Sequence, residues 1–351
     1  MKFTKFVAVL LVFMLTFALV GCGSSESDNN SDASADTGLD VAMYVNGNFG
    51  DNGYFDGLKA GMEKAIAELD INGKMIEGGT EVSAFGPGIE SLAQSGEYDV
   101  IISFTGQTSE SVLNMAPNYP DQDFFLIDVS STEVPDNVYE VTYKQGEGSY
   151  LAGIIAAYAT TRTDLFERSN DQKVVGAIGN NDNATIRDFM NGFTQGVHSV
   201  DPEIEVITTF VGSATDVVKA KELATTMFKT QGVDVVFNIA ASAGLGILEA
   251  ADELGYYAIG VDINQNGLYP GTVLTSVLKD AGLGIYQALE QYKNGTLEMG
   301  TSYLSGASEG TCGIAKDEYY EEIVPEEIRQ IVEDTEQKII NGEIVVESDR
   351  Y

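Results

Sequence analysis

Three carboxylates, one ammonium and two aromatic rings are the groups this sequence places where a ligand could reach them. Asp51 lies in NGNFGDNGYFDG, with Tyr54 and Phe55 just after it. Asp128 follows the apolar run FFLI, Asp262 follows AIGV, and Lys279 follows VLTSVL. Thr105 with Gly106, Asn180 with Asn181, and Ser242 with Gly244 of AASAG stand at the ends of three more apolar runs. Carboxylates accept from hydroxyls, an ammonium donates, flat rings stack, and glycine lets a backbone come close. The set holds no His, Cys or Arg, so it is an inventory for binding rather than for bond-making.

Each residue also has a plainer role. An aspartate after a strand often caps the next helix, a role open to Asp128. Asp262 suits it less, because INQNGLYPG follows rather than a helix start. Phe55 could be a hydrophobic staple, and Lys279 could be solvated. Catalysis finds little support. The single histidine, His198, forms no cluster, and no nucleophile–base pair or metal-ligand spacing is visible. GNFGDNG and SAGLG match neither dinucleotide nor P-loop fingerprints.

Short apolar runs at 41–45, 100–104, 124–127, 138–141, 174–178, 206–210, 235–239, 258–261 and 273–277 predict strands. Several are unbroken Val/Ile/Phe, as in parallel strands covered on both faces. Amphipathic spacing predicts helices over 57–70, 216–231, 245–254, 281–292 and 317–340. The β-α alternation implies an α/β protein with doubly wound parallel sheets, whose ligands bind beyond the carboxyl ends of the strands. Thirty-eight glycines and no tryptophan suit that class. About 310 residues beyond the leader exceed one core, so two domains are expected.

The leader carries Lys2 and Lys5, then an apolar run over 6–20 ending in LVGC. The run is too short to span a bilayer, which takes roughly 20 residues, and has signal-peptide proportions. LVGC resembles the bacterial lipobox, which makes Cys22 the expected lipidation site and residues 1–21 the cleaved signal peptide. Residues 22–38 lack large apolar side chains and read as a flexible tether. The protein is then expected on the extracytoplasmic face of a cell membrane, held by lipid. The net charge of −35 repels nucleic acid and anionic headgroups. With Cys22 acylated, Cys312 has no disulfide partner and is expected to be buried.

Several long segments together resemble the basic membrane lipoprotein family, the nucleoside-binding receptors of ABC importers. They are YDVIISFTGQTSESVLNMAPNYPDQDFFLID, NVYEVTYKQGEGSYLAGIIAAYAT, KVVGAIGNND, FMNGFTQGV, GVDVVFNIAASAGLGILEAADELGYYAIGVDINQN and VLTSVLK, in that order. The resemblance implies a type I periplasmic-binding-protein fold, with two lobes that close on ligand like a hinge. The expected division is 39–142 with 263–295 in an N-terminal lobe, and 143–262 with 296–351 in a C-terminal lobe. It further implies a nucleoside ligand (a purine nucleoside foremost), an ABC permease as partner, no cofactor, and a monomer. Asp51 and Phe55 map onto the family's first-loop acid and aromatic, Asp128 onto its central aspartate. Asp262 and Lys279 map onto the pair that grips ribose hydroxyls, a sensible use of charge-assisted hydrogen bonds. Two departures stand out. AASAG replaces a glycine-rich run, and the shortened first loop leaves the stacking ring open between Tyr54 and Phe55. A sugar receptor on the same scaffold, an exported nucleoside hydrolase, and a sensor or adhesion protein are the competing readings.

Overall fold

A computed structural model describes residues 38–351. The expected signal peptide, Cys22 and the tether up to residue 37 lie outside the described residues.

Two six-stranded sheets carry the chain. The first is built from β1 (Leu39–Val45), β2 (Ile71–Glu77), β3 (Val100–Phe104), β4 (Asp123–Ile127), β5 (Val138–Tyr143) and β11 (Thr301–Ser305), in the order β11-β5-β4-β3-β1-β2. All its pairings are parallel. The second holds β6 (Val174–Gly179), β7 (Glu205–Phe210), β8 (Val233–Ile239), β9 (Tyr257–Asp262), β10 (Val273–Lys279) and β12 (Cys312–Ile314), in the order β12-β10-β9-β8-β6-β7. Only its β10–β12 pair is antiparallel.

Burial explains the sequence runs. Every residue of β3, β5, β6 and β8 is buried. In β1, Val41, Met43 and Val45 enter one core while Ala42 and Tyr44 enter the other. Helices α1 (Tyr54–Glu68) and α8 (Ala281–Lys293) cover the first of these faces, and α2 (Val82–Ser95) and α3 (Thr105–Met115) the second. On the second sheet, α4 (Gln145–Thr161), α5 (Ala184–Val200), α9 (Glu318–Ile323) and α10 (Glu326–Ile340) cover one face, α6 (Val217–Thr230) and α7 (Leu245–Leu254) the other. The single helix expected over 317–340 is broken into α9 and α10 at Pro325, which has no N–H to continue it. The nine expected strands are β1 and β3–β10. The three that the pattern misses, β2, β11 and β12, are all edge strands. β2 reads INGKMIE and buries only Ile71, so its apolar signal is thin.

Sheet membership corrects the expected lobe boundaries. β10 falls in the second sheet, not with 39–142, because Ala258 N–H bonds Thr272 O and β10 stays beside β9. β11 falls in the first sheet, paired with β5, although 296–351 was expected in the other lobe. The chain therefore crosses between sheets after Tyr143, after Lys279 and after Ser305. The crossings are laced together: Lys144 N–H donates to Ser305 O at 2.8 Å, and Asp280 N–H to Thr311 O at 2.7 Å.

The EGSYLAG segment lies in α4; its Gly148 is explained by contact with Gly313 of β12, and its Gly153 by contact with α5. A Cβ on Gly196 would fall 2.0 Å from Tyr150 O, and one on Gly153 2.3 Å from Phe193 O. Backbone on both sides leaves nothing to yield. Gly196→Ala should therefore lower stability by about 1–3 kcal/mol through overpacking. Exposed Gly106, with nothing near a built Cβ, should tolerate alanine within about 0.5 kcal/mol. Chemical denaturation of the two variants measures the contrast.

Candidate functional site

The carboxyl ends of both sheets meet at the crossings, and backbone strain gathers there. Seven non-glycine residues among those described have positive φ, and five of them, Asn52, Thr105, Asp128, Ala241 and Asp262, stand at or after the ends of strands β1, β3, β4, β8 and β9. Such conformations cost about 1–3 kcal/mol each and persist only where surroundings impose them. Four of the five, all but Ala241, carry polar side chains at the strand ends.

Asp128 sits just past β4, its N–H fixed to Val141 O at 2.7 Å. It caps no helix. Lys279, the last residue of β10, donates to Asp128 Oδ2 at 2.9 Å, both side chains being 5% exposed. The lysine is thus buried rather than solvated. Its ammonium also lies 4.6 Å from the Tyr54 ring centre and 5.5 Å from that of Phe189. A second cation completes the group: Arg350 donates to Asp128 Oδ1 at 2.8 Å. Burial alone would push the Asp128 carboxyl up, but Lys279 and Arg350 together hold it below the usual range.

Asp262, the last residue of β9, stands partly exposed but crowded by protein, and forms no side-chain hydrogen bond among the described residues. Burial raises its carboxyl to about 6; Lys279 pulls it down, and Asp51 and Asp128 push it up. Asp51 is spent differently. Its Oδ1 accepts from Gly53 N–H at 3.0 Å and Asp56 N–H at 3.1 Å, and its Oδ2 from Phe55 N–H at 3.1 Å. Those are the free amides of the first turn of α1, so Asp51 shapes the loop that presents Tyr54 and Phe55. Tyr54 offers a face to Lys279, and its hydroxyl is buried without a hydrogen-bond partner among the described residues. Phe55 is half-buried edge-on to Tyr54 and lies over Gly47, where a Cβ would strike the ring at 2.4 Å.

Asp51, Tyr54, Asp128, Asp262 and Lys279 are thus brought together. The other expected residues lie at neighbouring strand ends. Thr105 Oγ1 accepts from Asn46 Nδ2 at 3.0 Å. Asn180 N–H bonds Ile239 O at 3.0 Å, joining the ends of β6 and β8. Ser242 and Gly244 lie in a short 3-10 turn after β8. Gly244 is obligatory there, since a Cβ would meet Asn238 Oδ1 at 1.9 Å.

Four participants escaped the sequence reading. Arg350 follows no strand. Asn46 ends the β1 run, and its Oδ1 is buried and unpartnered. Phe189 is an ordinary core position of α5 by spacing. Gln265 sits in the INQN stretch after Asp262, and its Nε2 donates to Asn52 O at 2.8 Å across the cleft. Only Asn46 carried a usable signal, its place immediately after a strand. Cys312 is buried beside the crossings, as expected.

Two sheets meeting at their carboxyl ends over a charged, ring-lined cleft define a two-lobed solute receptor. The comparisons agree. The chain belongs to the Bmp family of PnrA-like ABC transporter substrate-binding proteins, whose family model matches residues 39–350. It is 28% identical over 311 residues to basic membrane protein A2 of Borrelia garinii subsp. bavariensis, covering 87% of each chain. It is 26% identical over 347 residues to basic membrane protein D of Borreliella burgdorferi, covering 96% of this chain and 94% of that one. A solved ABC transporter solute-binding protein from Aeropyrum pernix K1 superposes with a TM-score of 0.78 at 24% identity, over 89% of this chain and 94% of that one. That likeness confirms the fold. The protein is a binding component of ABC transport and not an enzyme.

Asp262 gives a stability test with a definite sign. Folding raises its pKa from 3.8 to about 6, so ionising it costs stability, and the cost grows as pH rises through that window. Asp262→Asn should match the wild type below about pH 4 and exceed it by roughly 3 kcal/mol above about pH 7. Denaturant midpoints of both proteins across that range check this, and parallel curves would show an unstrained carboxylate.

Proposed function

We propose that this chain is a lipid-anchored, extracytoplasmic receptor that delivers a nucleoside, foremost a purine nucleoside, to an ABC importer. One observation carries the reading: an unspent carboxylate, Asp262, and a buried ammonium, Lys279, stand beside an aromatic pair where the lobes meet. A ribose offers vicinal hydroxyls to such a pair, the carboxylate accepting and the ammonium donating. Hydroxyl donors would also relieve the ionised Asp262, which has no hydrogen-bond partner of its own.

In this reading Phe55 stacks on the base, because the Lys279 ammonium already covers a face of Tyr54. Asn46 and Thr105 offer polar atoms to the base edge from the first lobe, and Asn180, Ser242 and Gly244 line the second. Asp128 orients Lys279, and Asp51 sets the loop carrying the ring. The lobes close about the three crossings, and ligand that touches both favours the closed form. Lipid on Cys22 holds this monomer at the cell membrane. Among the described residues no helix is long and apolar enough to cross a bilayer.

Calorimetry on purified, ligand-stripped protein should show binding of inosine, guanosine or adenosine, weaker binding of uridine, and none of monosaccharides. Asp262→Ala and Lys279→Ala should each weaken the nucleoside by roughly tenfold or more, with little effect on the free base. Heat from none of the four nucleosides, or equal affinity for inosine and hypoxanthine, would contradict the reading.

A further inference from the structure

Arg350 belongs to a segment that the described function leaves without a task. Residues 344–351 leave α10 and run along the second lobe. Val346 is buried there at 8% exposure. Glu347 and Gln195 of α5 exchange two hydrogen bonds, Glu347 N–H to Oε1 at 3.0 Å and Gln195 Nε2 to Glu347 O at 2.8 Å. Ser348 Oγ donates to Asp188 Oδ1, also of α5, at 2.6 Å. Everything that fixes the segment is thus second-lobe.

Its last contact is not. The Arg350 guanidinium reaches Asp128 of the first lobe, bonding Oδ1 at 2.8 Å and the backbone O at 3.2 Å. Its other amino group points to Gln145 Oε1 at 3.4 Å, in the first crossing. The guanidinium is 12% exposed, so water screens this pair little.

We propose that Arg350 is a positioning residue of the ligand cleft, and that segment 344–351 is a strap coupling closure of the lobes to the availability of Lys279. Asp128 has two oxygens and two cations, one on each. Were Lys279 its only partner, turning the ammonium toward a ligand would strand a buried carboxylate, which is costly. With Arg350 in place, Asp128 keeps a counter-charge while Lys279 turns. The other charged or titratable groups facing Asp128 cannot substitute: Tyr54 from α1, Tyr143 from β5, Cys312 from β12, Asp262 from β9 and Asp188 from α5 are neutral or acidic. The strap also ties the lobes directly, since its anchor and its target lie on opposite sides of the crossings.

The coupling to Lys279 rests on the nucleoside reading; the strap does not, and the two can be tested apart. Cys312 supplies a ligand-free reporter. It belongs to β12 of the second sheet yet packs in the first lobe's core, and is only 5% exposed. Its reaction with a thiol-disulfide reagent should follow opening of the lobes. In Arg350→Gln, ligand-free labelling should quicken by about fivefold or more, and inosine should bind roughly tenfold more weakly. Arg350→Lys, which keeps the charge, should restore most of both. Gln195→Ala, which loosens the anchor without touching the cleft, should quicken labelling in the same direction. Labelling of Arg350→Gln within twofold of wild type would overturn the strap, as would equal defects in Arg350→Gln and Arg350→Lys. Faster labelling with unchanged inosine affinity would overturn the coupling to Lys279. A wild type that ignores inosine would remove the nucleoside reading, while the labelling series would still decide the strap.

Discussion

The ion pair between Lys279 and Asp128 is the constraint around which this molecule is arranged. A buried ammonium and a buried carboxylate each lose several kcal/mol of hydration, and only close pairing with good geometry returns it. That geometry needs a strand from each sheet to end at the same point. β4 ends just before Asp128, whose backbone is turned to positive φ, and β10 ends at Lys279, after which the chain crosses to the first lobe. The parallel order of both sheets, the close glycine contacts and the laced crossings all serve to bring those two ends within 2.9 Å.

The charge around the pair does not balance. Asp51, Asp128, Asp188 and Asp262 face Lys279 and Arg350, so the carboxylates outnumber the cations by two. Asp51 is quieted by three backbone amides, and Asp128 by both cations. The excess falls on Asp188, which Ser348 bonds, and on Asp262, whose carboxyl is pushed up to about 6. A protein optimised for stability alone would have an amide there. Keeping an under-bonded carboxylate at a cleft makes sense when something else supplies the donors. The same imbalance repels anions from this point of the cleft.

What the sequence reveals and conceals follows from the same geometry. Interior strands are buried on both faces, so β3 and β8 announce themselves as VIISF and VDVVFNI. Edge strands need only half that burial, and INGKMIE passes for loop. Asp128, Asp262 and Lys279 could be singled out because each stands at the end of an apolar run, and strand ends can be read. Crossing points could not be read: the run of β10 looks like any other parallel strand, and nothing local says which sheet accepts it. Arg350 was the hardest. It follows a helix rather than a strand and meets a partner 222 residues away. An arginine of that kind has the sequence signature of a solvated side chain.

Where the lobes touch also bears on how they part. Lys279 lies at a crossing, so its pair with Asp128 can survive a hinge motion about that crossing. Away from the crossings, the hydrogen bonds that span the lobes among the described residues are those of Gln265 with Asn52 and of Arg350 with Asp128. A neutral hydrogen bond is worth only about 0.5–1.5 kcal/mol net, and one to a charged group roughly 1.5–3. Opening therefore faces a barrier of a few kcal/mol in contacts, the range in which open and closed forms coexist. A ligand that bonds both lobes need contribute only a comparable difference to close them. The large electrostatic cost stays locked at the hinge, and the small one is left at the cleft, where a solute can tip it.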